Sequence, residues 1–270
     1  MLVDTHCHIN MIVKKDFDRL LTDDECKQAK NVIDQAAEVG VTTIINVGTS
    51  LVESQNCILL AQSYKPVWAT VGLHPNDCTH AWRKDFQILS DWLKKKEEYK
   101  IVGIGECGFD FHYPDYHVER QKDAFRAQIE LSLEHDLALV VHTRDAKDET
   151  LRMLEEYKNS LKRVVIHCFS EDQEFANLVT SWGFFIGLGG VITYPKNQYL
   201  RDVATHTPLE HIVLETDAPF LPPQIIRGKQ NSPQYISVIA HFLADIRGQS
   251  FEVVADQTTL NAKKLFNLGN

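Results

Sequence analysis

The sequence predicts an α/β fold, a (β/α)8 TIM barrel with its functional site at the carboxyl ends of the strands. Eight short runs of β-branched and other apolar residues recur along the chain, and each gap between them is long enough for a helix. Strict alternation of strands and helices favours a parallel sheet with right-handed crossovers. The length of 270 residues suits barrels of this kind, which typically have ~250 residues.

The eight predicted strands cover residues 2–3, 42–47, 67–71, 101–104, 138–141, 164–166, 184–188 and 212–214. Sequences of the capping-box type predict three helix starts, at Thr22-x-x-Glu25, Ser50-x-x-Glu53 and Ser170-x-x-Gln173. Gly40 and Gly183 stand where two helices should end.

The first long helix shows the helical period clearly. Its apolar stripe should pack on the sheet and consists of Cys26, Ala29, Val32, Ile33, Ala36 and Ala37, whereas Lys27, Lys30 and Glu38 stay in water. A last helix is predicted over residues 251–266. No Pro- or Ser-rich linker divides the chain, so residues 1–270 are assigned to one domain. An open doubly wound sheet is the competing architecture, but no G-x-G-x-x-G follows the first strand.

The composition excludes several classes of protein. Apolar residues make up 44% and charged residues 24% of the chain, unlike disordered or collagen-like sequences. With a net charge of −9, the chain lacks the broad basic surface expected of proteins that coat nucleic acids. Six cysteines without a C-x-x-C pair indicate reduced thiols. With no signal sequence and no run of membrane-spanning length, we expect a cytoplasmic protein with no membrane partner and no obligate protein partner.

The first strand ends in His6-x-His8. Because alternate strand residues point to the same face, both imidazoles could bind one metal ion while Cys7 points away. In isolation this motif could equally be two ordinary polar residues at the start of a loop.

Four further strands end in ligand-type residues, namely Glu106, His142, His167 and Asp217. Active sites of TIM barrels lie at this end of the strands. Without a metal, six such residues on one rim would be a poorly compensated polar cluster. Their mixture of nitrogen and oxygen ligands suits two divalent ions bridged by a carboxylate.

Several neighbours of these residues have two interpretations. Cys7, Cys107 and Cys168 each follow a proposed ligand and could supply thiolate ligands. Strand alternation instead favours turning all three thiols towards the layer between barrel and helices, where each would act as a small apolar filler. Glu215 precedes Asp217 by two residues, so its side chain should point in the same direction, one layer deeper in the barrel. There it either orients a ligand or an arginine, or forms a buried structural ion pair.

With these motifs together, the chain resembles the TatD family of metal-dependent deoxyribonucleases, part of the amidohydrolase-like barrel group. The resemblance rests on DTHCH at 4–8, VGLHP at 71–75, GECGFD at 105–110, RQKDAF at 120–125, HTRDA at 142–146, HCFS at 167–170, ETDAPFL at 215–221 and NAKKLF at 261–266. It implies two metal centres, with His6, His8, Glu106 and Asp217 at the first and Glu106, His142 and His167 at the second. The chain departs from many relatives at Asn231-Ser232-Pro233 and at Glu171, which are substrate-side positions.

Two divalent ions, Mg²⁺, Mn²⁺ or Zn²⁺, would activate a water and hold a phosphate oxygen, which suits phosphodiester hydrolysis at DNA ends. The expected catalytic residues are Asp217, which would ligate a metal and accept a hydrogen bond from the water, and the shared Glu106. Expected substrate contacts are His74, Arg144, Arg227 and Lys229. His74 could equally be a histidine bonded to a neighbouring loop carbonyl, and the alternative for the three cations is a solvated surface charge. Aromatic side chains at Phe111, Tyr113 or Phe220 could stack a base. The expected substrate is a DNA end, single-stranded in preference, or a small phosphate ester.

Two other functions remain open at this point. An amidohydrolase or lactonase acting on a small molecule could use the same barrel and H-x-H motif. Binuclear enzymes of that kind often bridge their metals with a carboxylated lysine at the end of the fourth strand, where this chain has Glu106, and Lys100 lies at that strand's start. A non-catalytic metal-binding scaffold is disfavoured by the complete ligand set.

Overall fold

The computed structural model describes residues 1–14 and 16–269 of the chain. The strands are β1 (Leu2–Cys7), β2 (Val41–Val47), β3 (Val67–Val71), β4 (Ile101–Asp110), β5 (Ala138–Arg144), β6 (Val164–Ile166), β7 (Phe185–Leu188) and β8 (Ile212–Leu214). The α-helices are α1 (Ile9–Val13), α2 (Asp23–Glu38), α3 (Leu51–Ser63), α4 (Trp82–Trp92), α5 (Val118–His135), α6 (Lys147–Tyr157), α7 (Gln173–Ser181), α8 (Gln198–His206), α9 (Ile236–Arg247) and α10 (Phe251–Phe266).

The eight strands form one parallel sheet in the order of the chain, β1 to β8. The ring closes at the carboxyl ends of its first and last strands, because the Asp217 N–H donates to the His6 carbonyl and the His8 N–H donates to the Ala218 carbonyl, both at 2.8 Å. The predicted (β/α)8 TIM barrel is therefore confirmed. Among the described residues, no helix has the length and apolar character needed to cross a membrane.

Three strands run further than their apolar residues predict. β1, β4 and β5 continue through THC, ECGFD and HTR because their backbones still pair with neighbouring strands there. The apolar pattern ends earlier because the side chains of these segments include the polar groups of the rim. Their presence on regular strands fixes the direction in which those groups point.

An irregularity in β4 aims Glu106 into the barrel mouth. The pairing of β4 with β5 shifts register between Ile104 and Cys107, as bulges near functional sites commonly do. The Glu106 N–H donates across the barrel to the Gly48 carbonyl at 2.8 Å. Gly108 has a φ of +145°, and a Cβ there would lie 2.0 Å from the carbonyl oxygen of His142, so only glycine fits this close approach.

Two apolar layers form the core. The inner layer fills the barrel with valines and other apolar residues from the strands, together with Leu265 and Phe266 of α10. Asn261 of α10 donates to carbonyls at the start of β8, Leu209 at 2.8 Å and Ile212 at 2.7 Å. Helix α10 thus covers the amino ends of the strands, which leaves the carboxyl ends open for chemistry.

The outer layer lies between the barrel and the helices and contains Cys7 and Cys107, as their strand parity predicts. The same prediction is wrong for Cys168. Strand β6 ends at Ile166, Cys168 has a φ of +45°, and its side chain lines the cavity at the barrel mouth. Strand alternation cannot orient a residue that follows the strand.

The helix-start predictions have three different outcomes. Thr22 and Glu25 form the complete capping box of α2. Ser50 caps α3 by accepting from the Glu53 N–H, but the Glu53 carboxylate binds Lys14 and Asn10 instead of returning to the cap. The prediction at Ser170 is wrong, because α7 begins at Gln173 and Asp172 is its cap.

The other sequence predictions for the helices mostly agree with the structure. Ala29, Ile33 and Ala36 of the predicted stripe on α2 are buried, whereas Ala37 is exposed. Gly40 and Gly183 follow the ends of α2 and α7 with φ of +88° and +85°, the left-handed conformation that suits glycine after a helix.

The Glu25 carboxylate makes the stability of the chain sensitive to acid. Arg19 donates to its two oxygens at 2.6 and 2.8 Å, and with Thr22 lowers the pKa of Glu25 to about 2. A pKa lowered by folding stabilises the protein above the unfolded value, 4.5, and this contribution is lost as the pH falls towards 2. We expect Glu25→Gln to lower the Tm by about 2 °C at pH 7, and by progressively less between pH 4.5 and pH 3. Glu38→Gln, at the exposed end of the same helix, should lack this pH-dependent difference in thermal melts.

Candidate metal centre

Six ligand-type side chains meet at the carboxyl end of the barrel. His6 and His8 come from the end of β1, Glu106 and His142 from β4 and β5, and His167 and Asp217 follow β6 and β8. All six are buried or nearly so. The structure therefore brings together every residue that the sequence predicts as a metal ligand.

The first cluster has two nitrogens and two oxygens. His6 Nε2 lies 3.2 Å from His8 Nε2, 3.3 Å from Glu106 Oε2 and 3.6 Å from Asp217 Oδ1. His8 Nε2 lies 3.4 Å from Asp217 Oδ1 and 3.9 Å from Glu106 Oε2. Ligands at ~2.0–2.2 Å from a tetrahedral Zn²⁺ stand roughly 3.3–3.6 Å apart. These four side chains therefore fit a divalent ion.

The second cluster shares Glu106 with the first. Glu106 Oε1 lies 2.7 Å from His142 Nδ1 and 2.8 Å from His167 Nε2, and the two nitrogens are 3.3 Å apart. One oxygen of this carboxylate thus faces the first group of nitrogens and the other faces the second. Glu106 therefore connects the two clusters of ligand-type side chains.

Hydrogen bonds to the far ring nitrogens decide which nitrogen can bind a metal. His8 Nδ1 lies 2.8 Å from the Val47 carbonyl. Since a carbonyl only accepts, Nδ1 carries the proton and the Nε2 lone pair faces the cluster. His142 has the opposite orientation, because its Nε2 lies 3.2 Å from Asp110 Oδ2 and its Nδ1 faces Glu106.

Below the clusters, Glu215 faces two of the ligand histidines. Its Oε2, His6 Nδ1 and His167 Nδ1 are buried and have no hydrogen-bond partner among the described residues. Ligand atoms of these three side chains lie within 4.8 Å of one another, and Glu215 Oε1 is 3.6 Å from His167 Nδ1. When Nε2 of each histidine binds a metal, Nδ1 holds a proton, and a carboxylate is the acceptor that these protons need.

We expect Glu215→Gln to weaken divalent metal binding by about 10- to 100-fold, because an amide replaces the acceptor of the Nδ1 protons. Calorimetric titration of the metal-free protein with Mn²⁺ or Zn²⁺ measures the effect directly. Glu174→Gln makes the same chemical change at an exposed position on α7 and should leave the affinity unchanged. Equal affinities for all three proteins would assign Glu215 a structural role only.

Contacts between the clustered ligand residues shift their pKa values. Burial alone would raise the pKa of Glu106, but His167, His142 and His6 hold that pKa well below its usual range. Against the effect of burial, Glu106 and Glu215 raise the pKa of His167 well above its usual value. The Glu106 carboxylate is therefore ionised, and it favours protons on the nitrogens of His142 and His167. Metal binding at these nitrogens would release protons.

Asp110 is a site residue that the sequence analysis missed. Its Oδ2 contacts His142 Nε2 and accepts from Asn76 Nδ2 at 2.9 Å. Burial opposes ionisation, but the contacts with His142, His112 N–H and Asn76 lower the pKa of Asp110 to about 2. The available signal was strand parity, since residues 106, 108 and 110 share one face of β4.

His74 lies beside the second cluster. Its Nδ1 accepts from the Asn76 N–H at 3.2 Å, so Nε2 carries the proton of the neutral ring and points to Glu106 Oε1 at 3.6 Å. Burial and the nearby His142 lower the pKa of His74 to about 3. His74 is therefore a neutral hydrogen-bond donor at the edge of the clusters.

A cavity of about 610 Å³ opens above the metal-ligand residues. Of the other predicted contacts, His74, Arg144, Tyr113 and Phe220 line it. The Arg144 guanidinium lies 5.6 Å from the centre of the Tyr113 ring, a cation–π distance. Phe111 is not among the lining residues and packs on Tyr116 instead.

Arg227 and Lys229 do not line this cavity. Arg227 lies over the ring of Tyr194 at 4.2 Å and borders a second, smaller cavity, whereas Lys229 is exposed to solvent. The structure does not place either cation above the metal-ligand residues. Lys100 lies at the opposite end of β4, where its Nζ donates to the carbonyls of residues 61, 64 and 65.

Comparisons with known proteins identify the family to which this barrel is similar. The model of a family described as TatD related DNase matches residues 3–267. The metal-dependent hydrolase YabD of Bacillus subtilis (strain 168), itself uncharacterized, is 32% identical over 99% of this chain and 100% of its own length. A protein of Erwinia tasmaniensis named 3'-5' ssDNA/RNA exonuclease TatD is 34% identical over 90% of this chain and 95% of its own. The solved structure of YJJV, a TatD homologue of Escherichia coli K12, superposes with a TM-score of 0.89 at 29% identity and covers 99% of this chain and 98% of that one.

Proposed function

The chain belongs to the family of TatD-related DNases, metal-dependent hydrolases that act on ester bonds, and we propose that it is an exonuclease that removes nucleotides from single-stranded DNA ends. The named exonuclease of Erwinia tasmaniensis supports this choice among the reactions of the family. The observation that carries the proposal is the carboxylate of Glu106, whose two oxygens face two separate groups of imidazoles.

The proposed cofactors are two divalent ions, held by His6, His8, Glu106 and Asp217 on one side and by Glu106, His142 and His167 on the other. When bound, two such ions supply a water of lowered pKa and neutralise the charge that develops on a phosphoryl group. Mg²⁺, Mn²⁺ and Zn²⁺ all remain candidates for these mixed nitrogen and oxygen ligands.

The protein itself provides a base and a set of donors. The pKa of Asp217 is lowered because contacts with His8 and His6 outweigh its burial, so this carboxylate is ionised and accepts a hydrogen bond from the attacking water. His74 Nε2–H and the Arg144 guanidinium are proposed to donate to phosphate oxygens. Both line the same cavity as Asp217.

The cavity favours a chain end as substrate. Its volume, about 610 Å³, is in the range of small-molecule pockets, ~300–1,000 Å³. Tyr113 and Phe220 at its wall are exposed and could stack unpaired bases. With a net charge of −9, the chain suits contact with a few phosphates rather than the coating of a duplex.

The experiment is hydrolysis of end-labelled single-stranded DNA by protein freed of metal and then supplied with Mg²⁺, Mn²⁺ or Zn²⁺. We expect mononucleotides only when metal is present, with the 3′ and 5′ labels showing the direction of degradation. His142→Ala should abolish the reaction, whereas His241→Ala, which removes an exposed histidine of α9, should preserve it.

Elemental analysis of the same preparations tests the number of ions. Two equivalents per chain are expected, and saturation at one would contradict the shared role of Glu106. Turnover of lactones or amides without nucleotide release would favour the amidohydrolase alternative. Metal binding without any turnover would favour a non-catalytic scaffold.

A further inference from the structure

A second cavity adjoins the candidate catalytic cavity. It has a volume of about 370 Å³ and is lined by Tyr194, Pro195, Lys196, Asn197, Gln224 and Arg227. Asn197 lines both cavities. A chain-like ligand whose end lies in the larger cavity could therefore continue past Asn197 into the smaller one.

The wall of this second cavity is held in place by hydrogen bonds. The Tyr194 hydroxyl donates to the Pro222 carbonyl at 2.8 Å. Arg201 donates to the carbonyls of Tyr194 and Pro195 at 2.6 and 3.0 Å. Tyr194 therefore presents a fixed ring, and the Arg227 guanidinium lies 4.2 Å from its centre. Such stacking orients the guanidinium plane before any ligand arrives.

The charge of the second cavity differs from that of the chain. Its lining includes two cations, Lys196 and Arg227, and no carboxylate. Within residues 1–14 and 16–269, neither cation forms an ion pair or a side-chain hydrogen bond. In a chain with a net charge of −9, two cations without carboxylate partners form a local attraction for an anion.

We propose that this second cavity binds the continuing strand of a single-stranded nucleic acid whose end is held at the metal-ligand residues. Arg227 and Lys196 would contact its phosphates, and the outer face of the guanidinium would stack a base. This inference rests on the proposed nuclease function and adds a binding site to it. We expect a dependence on chain length, because a dinucleotide held at the metal-ligand residues would occupy the larger cavity alone, whereas a decamer would extend past Asn197.

The test compares binding of a dinucleotide and a decamer of fluorescently labelled, cleavage-resistant phosphorothioate thymidylate by fluorescence anisotropy. We expect Arg227→Ala and Lys196→Ala each to weaken decamer binding about tenfold and to reduce the salt dependence of log K by about one. The loss for the dinucleotide should be much smaller. Arg83→Ala is the matched control, since Arg83 lies over Trp82 at 4.5 Å but lines neither cavity, and should bind the decamer as the unmodified protein does.

Steady-state hydrolysis by the metal-loaded protein separates this inference from the proposed function. A higher KM for the decamer in Arg227→Ala, with kcat retained, supports the second site. Equal decamer binding by Arg227→Ala and Arg83→Ala would overturn it even if the protein degrades DNA normally. Decamer binding that depends on Arg227, in a protein that cleaves no DNA, would keep the site and reject the nuclease.

Discussion

Glu106→Gln is expected to lower hydrolysis on the order of 1,000-fold or more and to reduce metal binding at both clusters. Each oxygen of this carboxylate faces different nitrogens, at 2.7 and 2.8 Å on one side and 3.3 Å on the other. An amide has one acceptor oxygen and no negative charge. In the proposed two-ion site, this single replacement would remove an oxygen ligand from one ion and the negative charge from both, and the ions would lose the group that fixes their separation.

The amount of metal lost distinguishes a carboxylate that bridges two ions from one that binds a single ion. His8→Ala and His142→Ala each remove a ligand from one cluster only, so each should leave part of the metal content in place. Metal analysis of the three variants, with hydrolysis rates measured over a range of Mn²⁺ concentrations, makes the comparison. Glu174→Gln, which makes the same chemical change at an exposed position on α7, is the matched control and should keep both metal and activity. Retention of two metal equivalents by Glu106→Gln would show that Glu106 is not the bridge.

Strand parity explains why so much of the barrel mouth could be predicted from the sequence. A residue at the end of a parallel strand has only two possible directions, and its neighbours in the ring have the same choice. His6, Glu106 and His142 lie on strands and therefore meet without any knowledge of loops. His8, His167 and Asp217 follow their strands by one to three residues, so the sequence places them at the same rim but does not fix their directions. Parity fails one or two residues beyond a strand, as Cys168 shows with its positive φ and its place in the cavity wall.

The contacts that parity cannot predict come from loops. Arg227 lies in the loop after β8, and its place over Tyr194 depends on the packing of two irregular segments. Glu53 illustrates a second reason why a contact cannot be predicted from local sequence. Its position three residues after Ser50 predicts a capping box, but a buried ammonium competes for the carboxylate, and the stronger charged contact is made.

That buried ammonium belongs to Lys14, and Lys14→Met is expected to destabilise the protein by about 3–5 kcal/mol. Lys14 Nζ lies 2.6 and 2.7 Å from the two oxygens of Glu53, and both residues are buried, with exposures of 4% and 2%. Methionine fills a similar volume but leaves the Glu53 carboxylate without its counterion. Urea denaturation of metal-free protein measures the loss. Lys94→Met is the matched control, because Lys94 pairs with Asp91 at the same 2.6 Å on the surface, and should cost less than about 1 kcal/mol.

The double variant Lys14→Met with Glu53→Gln separates the pair from its surroundings. If the cost of Lys14→Met arises from an uncompensated charge, neutralising Glu53 should recover part of it, so that the two single losses sum to more than the double loss. Additive losses would instead mean that each side chain acts through other contacts. Glu53 does have such contacts, since Asn10, Asn56 and the Asp18 N–H also donate to it. Asp18, one of these donors, directly follows Phe17 of the wall of the candidate catalytic cavity, so Lys14→Met should raise the KM for the proposed DNA substrate under conditions where the protein remains folded.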